Sequence, residues 1–397
     1  MDLFDQDPSF AGARQLMQAF ALSQIRPVAA KHDLEESMPW DLMRTAHKLG
    51  LRQTALIDVA KTGSGPRDPN KPKTGARLAA IGSDEIAWGC AGIGLALAGS
   101  GLAASPVARL GNSEQKQFFI ESLRGEDENG RIKVAAMALS EPSTGSDISS
   151  LSTSAQKTAK GWALNGQKQW ITNGQSASIY VVWAQTDQSL GRQGVRGFLV
   201  PRETPGLIPG RKETKLGIRA SETASVTFED CRIPDDYLLG SKLETSEGLG
   251  DTKKMLDSTR PMVAAQAVGI ARAAFDFTTE KVKAGECPGA SNQSVAFLLA
   301  EMAMEIEASR ALTHKAAWFA DHGRANVALA SMAKAHAART AQWVTKKALL
   351  ILGEEALSPG HPVEKWYRDA KIYDIFEGTG QIQRRIIARH LTGKTAI

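Results

Sequence analysis

Cysteine is scarce in this chain. The three present, Cys90, Cys231 and Cys287, stand alone in the sequence. Their odd number and wide spacing exclude a disulfide framework and the paired spacing of a zinc site, and they fit a reducing compartment. No basic run stands out against a net charge of +5, so the composition makes no case for nucleic acid. No apolar run reaches membrane-spanning length, so no membrane partner is expected. The first residues, Met1-Asp-Leu-Phe-Asp-Gln-Asp7, are acidic and carry neither a signal nor a transit pattern. The expected compartment is the cytoplasm. No internal repeat is visible.

What is present is an ordinary globular chain, 397 residues with 42% hydrophobic and 23% charged side chains. That length holds two or three domains around a substantial core. The first third reads as helix. Phe10 to His32 has apolar residues at helical spacing, and residues 40–50 and 75–122 continue the pattern. A Pro/Gly/Lys-rich stretch from Gly63 to Lys73 reads as a loop. Near Val134 short apolar runs begin to alternate with Gly, Asn and Pro. Asn165-Gly166, between the arms Trp162–Leu164 and Gln167–Trp170, predicts a hairpin turn. Further strands are expected at 179–184, 197–201 and 225–228, giving a small antiparallel β domain. From about Leu243 the chain turns helical again. Leu298, Met302 and Ile306, at i, i+4 and i+8, predict a buried stripe on a long helix of a bundle. The expectation is an α+β chain in three parts, residues 1–133, 134–242 and 243–397.

The most informative segment is Asp374-Ile-Phe-Glu-Gly-Thr-Gly-Gln-Ile-Gln-Arg-Arg385. Glu377 is a lone carboxylate between Phe376 and Gly378. The glycine allows close backbone approach, and Phe376 and Ile375 are expected to dry the carboxylate. A dry carboxylate has a raised pKa and serves as a base near neutral pH. The plainer alternative is a helix-end glutamate on a solvated face.

Two more segments join it, Ala138-Leu-Ser-Glu-Pro-Ser-Thr-Gly-Ser-Asp147 and Leu164-Asn-Gly-Gln-Lys-Gln-Trp-Ile-Thr-Asn-Gly174. In this order and spacing the three resemble the acyl-CoA dehydrogenase family, and the tail from Gln293 to Arg389 is most similar to the medium-chain enzymes. The resemblance implies an N-terminal helical domain, a middle β-barrel and a C-terminal four-helix bundle. It implies α,β-dehydrogenation of an acyl-CoA thioester. Glu377 would act as base, FAD as hydride acceptor, and electron-transfer flavoprotein as electron acceptor. Carried over by position, Met137, Leu139 and Ser140 lie along the pyrimidine edge of the flavin, and Gly145 and Ser146 near the pyrophosphate and substrate. Trp170, Ile171 and Thr172 form the second wall. Thr379 and Gln381 are flavin contacts beyond the base. For Trp170 the alternative is a packed barrel aromatic, and for the hydroxyl residues turn capping.

On the substrate side the resemblance places Phe376 and Gly378 beside the thioester, and Asp257 and Arg260 at the pantetheine; the alternative for Arg260 is a surface ion pair. Gly94 and Ala98 fall on the wall that sets acyl length, where small residues suggest room for a branched, cyclic or bulky acyl group. Close helix packing is the alternative. Two segments depart from the family. Lys281-Val-Lys-Ala-Gly-Glu-Cys-Pro-Gly-Ala290 lacks the Arg-x-x-Phe-Gly motif that reaches a neighbouring subunit's FAD. Leu350-Ile-Leu-Gly-Glu-Glu-Ala356 lacks the Gln-x-x-Gly-Gly-x-Gly loop. Two assemblies therefore stay open, a homotetramer and an α2β2 heterotetramer with a second dehydrogenase-like subunit. An oxygen-using oxidase and a non-catalytic subunit are the competing functions.

Overall fold

The computed structural model describes residues 8–51, 59, 74–240, 249–324 and 326–394, excepting the side chains of 8–9 and 249–258. The expected loop from Gly63 to Lys73 lies outside the described residues. Helix α1 (Pro8–Phe20) runs through a π-helical turn (Ala21–Ile25) into α2 (Arg26–Leu34). The wide turn falls just before Pro27, whose ring and missing N–H cannot continue the α ladder. Helices α3 (Trp40–Lys48), α4 (Gly75–Ala98), α5 (Ser100–Leu110) and α6 (Ser113–Ser122) complete the first part. Helix α4 breaks at Cys90, which is extended at φ −168° and ψ 119°. A capping box starts α6: Asn112 accepts from Gln115 N, and the Gln115 side chain accepts from Asn112 N.

Seven strands follow: β1 (Val134–Ala138), β2 (Ser154–Thr158), β3 (Gly161–Thr172), β4 (Ala177–Gln185), β5 (Val195–Pro201), β6 (Leu207–Lys212) and β7 (Thr223–Ile233). They form one curled sheet in the order β1-β4-β2-β3-β7-β6, with β5 also on β4. The sheet is mixed, correcting the antiparallel expectation, because β1 runs parallel to β4. Strand β4 is apolar at consecutive positions because both its faces are covered. Tyr180, Val182 and Ala184 enter the inner core, while Ile179, Val181 and Trp183 pack with Ala103, Val107 and Phe119 of α5 and α6.

Asn165-Gly166 is not a hairpin turn. It is a bulge inside the continuous β3, where the pairing to β7 shifts between Leu164 and Gly166. Gly166 is at φ +141°, and a Cβ there would lie 2.7 Å from Thr153 Cα, so close backbone approach requires glycine. The hairpin itself joins β2 to β3 across Ala159 and Lys160, with Thr158 opposite Gly161.

The last part contains α7 (Leu249–Lys283), α8 (Gln293–Asp321), α9 (Val327–Leu352), the short α10 (Pro362–Ala370) and α11 (Gly380–Thr392). Met302 and Ile306 are buried as the stripe predicts, but Leu298 is only half-buried. Alanines dominate the interface of α7, α9 and α4, where Ala87, Ala91, Ala264, Ala267, Ala271 and Ala337 share one core. Helix α10 ties the layers together. Its Asp369 accepts from the Ile218 backbone N–H at 2.5 Å and pairs with Lys365 at 2.5 Å. Its Arg368 pairs with Asp33 at the end of α2. The chain then passes through a 3-10 turn (Lys371–Asp374) directly into Glu377.

Candidate active site

Glu377 stands in left-handed backbone at φ +55°, followed by Gly378 at φ +91°. The tight reversal between the 3-10 turn and α11 demands this conformation, and glycine supplies its second half without strain. Thr379 caps α11 by accepting from Ile382 N at 3.3 Å. The residue is half-buried. Thr259 Oγ1, on α7, donates to Glu377 Oε2 at 2.8 Å. Removal from water pushes the carboxyl up from its ordinary range. The Thr259 hydrogen bond and the charges of Arg260 and Lys334 act against that rise without reversing it. The solvated helix-end alternative is thereby set aside.

Of the two residues expected to dry the carboxylate, one is open to solvent. Ile375 is 49% exposed. Phe376 is half-buried and meets Tyr373 edge-on, with ring centroids 5.0 Å apart. Thr259 and Arg260 of α7 and Lys334 of α9 are the groups that act on the carboxylate. Arg260 is 3% exposed, with Nη1 3.4 Å from Ser331 Oγ, so it is no surface ion pair. Asp257 lies one turn earlier on α7; its side chain is outside the described residues.

The turn after Glu377 is braced from below. Lys334, fully buried on α9, donates to the Gly378 carbonyl at 2.7 Å. Gln383 donates to the same oxygen at 2.9 Å. Sequence reasoning missed Thr259, Lys334 and Gln383. A signal for Lys334 exists: it is the one lysine in Ser331-Met-Ala-Lys-Ala-His-Ala-Ala338, otherwise mostly alanine.

The proposed flavin wall gathers on the sheet. Strand β1 is an edge strand, so one side of the backbone at Met137 is outside the ladder, and the chain leaves the ladder at Leu139. Ser140 and Thr172 are half-buried. Trp170 sits at φ +62° in a second bulge of β3 and is 59% exposed, which removes the packed-aromatic alternative. The Ile171 side chain is in the sheet core, and its carbonyl accepts from the Gly174 N–H at 2.9 Å. Gly145 and Ser146 are exposed, in a loop shaped by Asp147, which accepts from the hydroxyls of Ser149 and Ser150. Gln381 is exposed at the start of α11. These residues fit a flat ring with a polar edge.

Beneath the wall is a buried ion pair that the sequence reading also missed. Glu141 and Lys168 are both inaccessible, 2.8 Å apart. Glu141 also accepts from Ser152 N, Ser152 Oγ and Thr153 N, and Lys168 donates to Leu139 O at 3.0 Å. Burial alone would raise Glu141, but the hydrogen bonds from Lys168, Ser152 and Thr153 outweigh it and hold the carboxyl at about 2. Burial also lowers Lys168, to about 8, so at neutral pH the pair remains ionised. The Gln169 N–H bonds Ser140 O at 2.9 Å, completing a clamp between the two wall segments.

Gly94 and Ala98 lie beyond the α4 break. Gly94 is buried, yet a Cβ there would meet one atom within 4 Å, Ile86 Cγ2 at 3.1 Å. Gly89 packs against Ala21 and Ile25, Gly92 against Ile218 and Ala220, and Gly99 against Thr172 and Asn173. Close packing thus explains those three better than Gly94. Ala98 is exposed.

Comparison with known proteins agrees with this geometry. Family models for the acyl-CoA dehydrogenase N-terminal, middle and C-terminal domains match residues 11–126, 136–231 and 246–392. The short-chain specific acyl-CoA dehydrogenase of Rattus norvegicus mitochondria is 39% identical over 95% of this chain and 89% of that protein. Butyryl-CoA dehydrogenase of Megasphaera elsdenii superposes with a TM-score of 0.85 at 31% identity, over 98% of this chain and 100% of that one. A glutaryl-CoA dehydrogenase in complex with glutaryl-CoA gives a TM-score of 0.86 at 28% identity, over 99% and 97%. The chain belongs to the acyl-CoA dehydrogenase family. It is an FAD-dependent oxidoreductase acting on acyl-CoA.

The buried clamp generates a prediction. Lys168→Met leaves the Glu141 charge buried without its partner, which costs about 3–5 kcal/mol. The variant should melt earlier and purify with less flavin, and Glu141→Gln added to it should recover part of the loss. The Glu141 contribution also has a pH sign. The folded carboxyl titrates below its ordinary value of 4.5, so its stabilisation is complete above that pH and is lost as pH falls toward about 2. Thermal unfolding of the two variants against pH checks both statements.

Proposed function

We propose that the chain removes the α-proton and β-hydride of an acyl-CoA thioester to give the 2-enoyl-CoA, with Glu377 as the base and electron-transfer flavoprotein as electron acceptor. The observation that carries this reading is the half-buried, left-handed Glu377 with its raised carboxyl, held by Thr259; the resemblance supplies two segments for a flavin wall. FAD, when bound, supplies the hydride acceptor that no side chain provides. Met137, Leu139, Ser140, Trp170, Ile171, Thr172, Thr379 and Gln381 would hold it. Thr259 fixes one carboxylate oxygen of Glu377 and leaves Oε1 for the proton. Enclosure by α7 and α9 keeps that oxygen basic. The Glu377 backbone N–H is the candidate donor to the thioester oxygen as negative charge develops there.

The acyl group is read from Gly94. The names of the relatives speak for butyryl and other short chains, and the small side chains at Gly94 and Ala98 support a wider one. For assembly, the two departures from the family support a divided site. Lys281 is tied to Glu286 at 2.5 Å, and Glu354 and Glu355 stand exposed after α9, where a dinucleotide phosphate would be repelled. This favours an α2β2 heteromer whose other subunit completes the FAD site.

Four expectations follow from these assignments. Glu377→Gln keeps the shape and removes the proton acceptor, so flavin should bind but substrate should bleach it about 10²–10⁴-fold more slowly. In the wild type the reaction should fall away on the acid side with a midpoint above the ordinary carboxylate range, because the base must be ionised. Stopped-flow flavin reduction against pH measures both, and a wild-type rate in Glu377→Gln would reassign the base. Gly94→Gln should depress kcat/KM for branched or cyclic thioesters more than for butyryl-CoA; an unchanged ratio assigns Gly94 to packing. Expressed alone, the chain should carry well under one FAD per subunit, by flavin absorbance and native mass. A homotetramer with four tightly held FADs would overturn the divided site.

A further inference from the structure

Lys334 is an unusual residue to find where it is. It projects from α9 into a fully buried position. Its hydrogen bond goes to a neutral acceptor, the Gly378 carbonyl at 2.7 Å. Among the described residues no carboxylate lies within 4 Å of it. A buried ammonium without an ion-pair partner is costly, so a side chain kept there has a strong local reason. The charged groups around it come from each neighbouring element: Asp374 from the 3-10 turn, Glu377 from the reversal and Arg260 from α7. Gln383 of α11 shares its acceptor. Its hydrogen bond goes to the turn that carries Glu377, and the charges facing it are Glu377, Asp374 and Arg260.

We infer that Lys334 is a positioning residue for the base: its ammonium pins the Glu377–Gly378 reversal through the Gly378 carbonyl and, by its charge, favours the ionised Glu377 carboxylate. The inference rests on the reading of Glu377 as the base. The pinning follows from backbone geometry. Glu377 is a non-glycine residue at φ +55°, a conformation that persists when its surroundings hold it. Two donors converge on the next carbonyl, and the shorter bond is the lysine's. The electrostatic part follows from enclosure. A carboxylate surrounded by α7 and α9 is driven toward its neutral form, which cannot accept the α-proton. A nearby cation opposes that drive without the direct contact that would quench basicity. Burial lowers the lysine to about 8, so it still carries its charge at neutral pH.

The test reads the Glu377 proton directly. In the holoenzyme, infrared difference spectra against pH follow the protonated-carboxyl C=O band, assigned to Glu377 by its loss in Glu377→Gln. Lys334→Met and Lys334→Gln both remove the charge, so the midpoint of that band should rise by about one pH unit. Lys334→Gln keeps a donor and Lys334→Met does not. At a pH where Glu377 is ionised in every variant, Lys334→Met should lose about 10- to 100-fold in kcat through misplacement, with Lys334→Gln closer to wild type. A reciprocal measurement needs no change at Lys334. Coupling between two sites is symmetric, so Glu377→Gln should lower the titration midpoint of the Lys334 Nζ resonance in ¹⁵N-lysine-labelled protein. An unmoved carboxyl midpoint in both lysine variants, or an unmoved Lys334 midpoint in Glu377→Gln, overturns the electrostatic role. Equal kcat in the Met and Gln variants overturns the pinning. Full flavin reduction by Glu377→Gln would instead remove the base assignment, a failure separable from either.

Discussion

The geometry of the candidate site depends on a hydrogen bond outside it, between the buried Asp369 carboxylate and the Ile218 backbone N–H. Ile218 is a β-branched residue at φ +48°, a conformation that its side chain resists. The bond to Asp369 holds it there, and Gly217 beside it lets the loop approach so closely that a Cβ would lie 2.4 Å from Arg368 O. Lys365 satisfies the other Asp369 oxygen. The same short helix reaches α2 through Arg368 and Asp33. Sheet, first helices and bundle are thus fixed relative to α10, and α10 runs through the 3-10 turn into Glu377. The orientation of Glu377 is inherited from a buried charge network whose partners are satisfied inside the protein, the condition under which such networks specify one arrangement.

Two of the left-handed non-glycine residues fall among the candidate site residues. Trp170 at φ +62° and Glu377 at φ +55° are both non-glycine residues in left-handed conformation. Each costs on the order of 1–3 kcal/mol and persists because neighbouring contacts over-determine it. At Trp170 the bulge in β3 turns a large ring outward at the end of a strand whose next residue, Ile171, is locked in the core. At Glu377 the reversal directs the carboxylate to Thr259. Position is gained in both places by making the local backbone less comfortable. The stabilising bonds lie behind the wall, from Lys168 and Glu141 in one case and from Lys334 and Gln383 in the other.

The parts of this arrangement that could be read from the sequence are those in which the relevant residues are contiguous. The Glu377 run, the Ser140 run and the Trp170 run each carry their chemistry within a dozen positions. The supporting residues do not. Thr259, Lys334 and Glu141 act through contacts made by tertiary packing, and nothing at i±3 or i±4 announces them. Asn165-Gly166 shows the opposite failure. Its local signal is a strong hairpin, but pairing with β7 extends the strand through it, and Thr153 needs the missing side chain. Long-range pairing overrode local turn propensity. Ile375 failed for a third reason: an apolar residue next to a base in sequence need not face it in space.

The proton abstraction proposed for Glu377 sets narrow limits on its surroundings. A carboxylate left in water is too weak a base for an α-proton. One buried with no compensation takes up a proton and ceases to be a base. One locked in a direct ion pair is ionised but loses its basicity to the partner. The observed site lies between these cases: enclosure raises the carboxyl, one hydroxyl donates to a single oxygen, and two cations contribute through charge. Those cations are themselves placed by the bundle, Arg260 on α7 and Lys334 on α9, at the alanine-rich interface where helices approach closely. The small side chains of that core therefore have a chemical consequence as well as a packing one. By letting α7 and α9 come together beneath the reversal, they fix how far two positive charges stand from the base, and so how strongly it holds a proton.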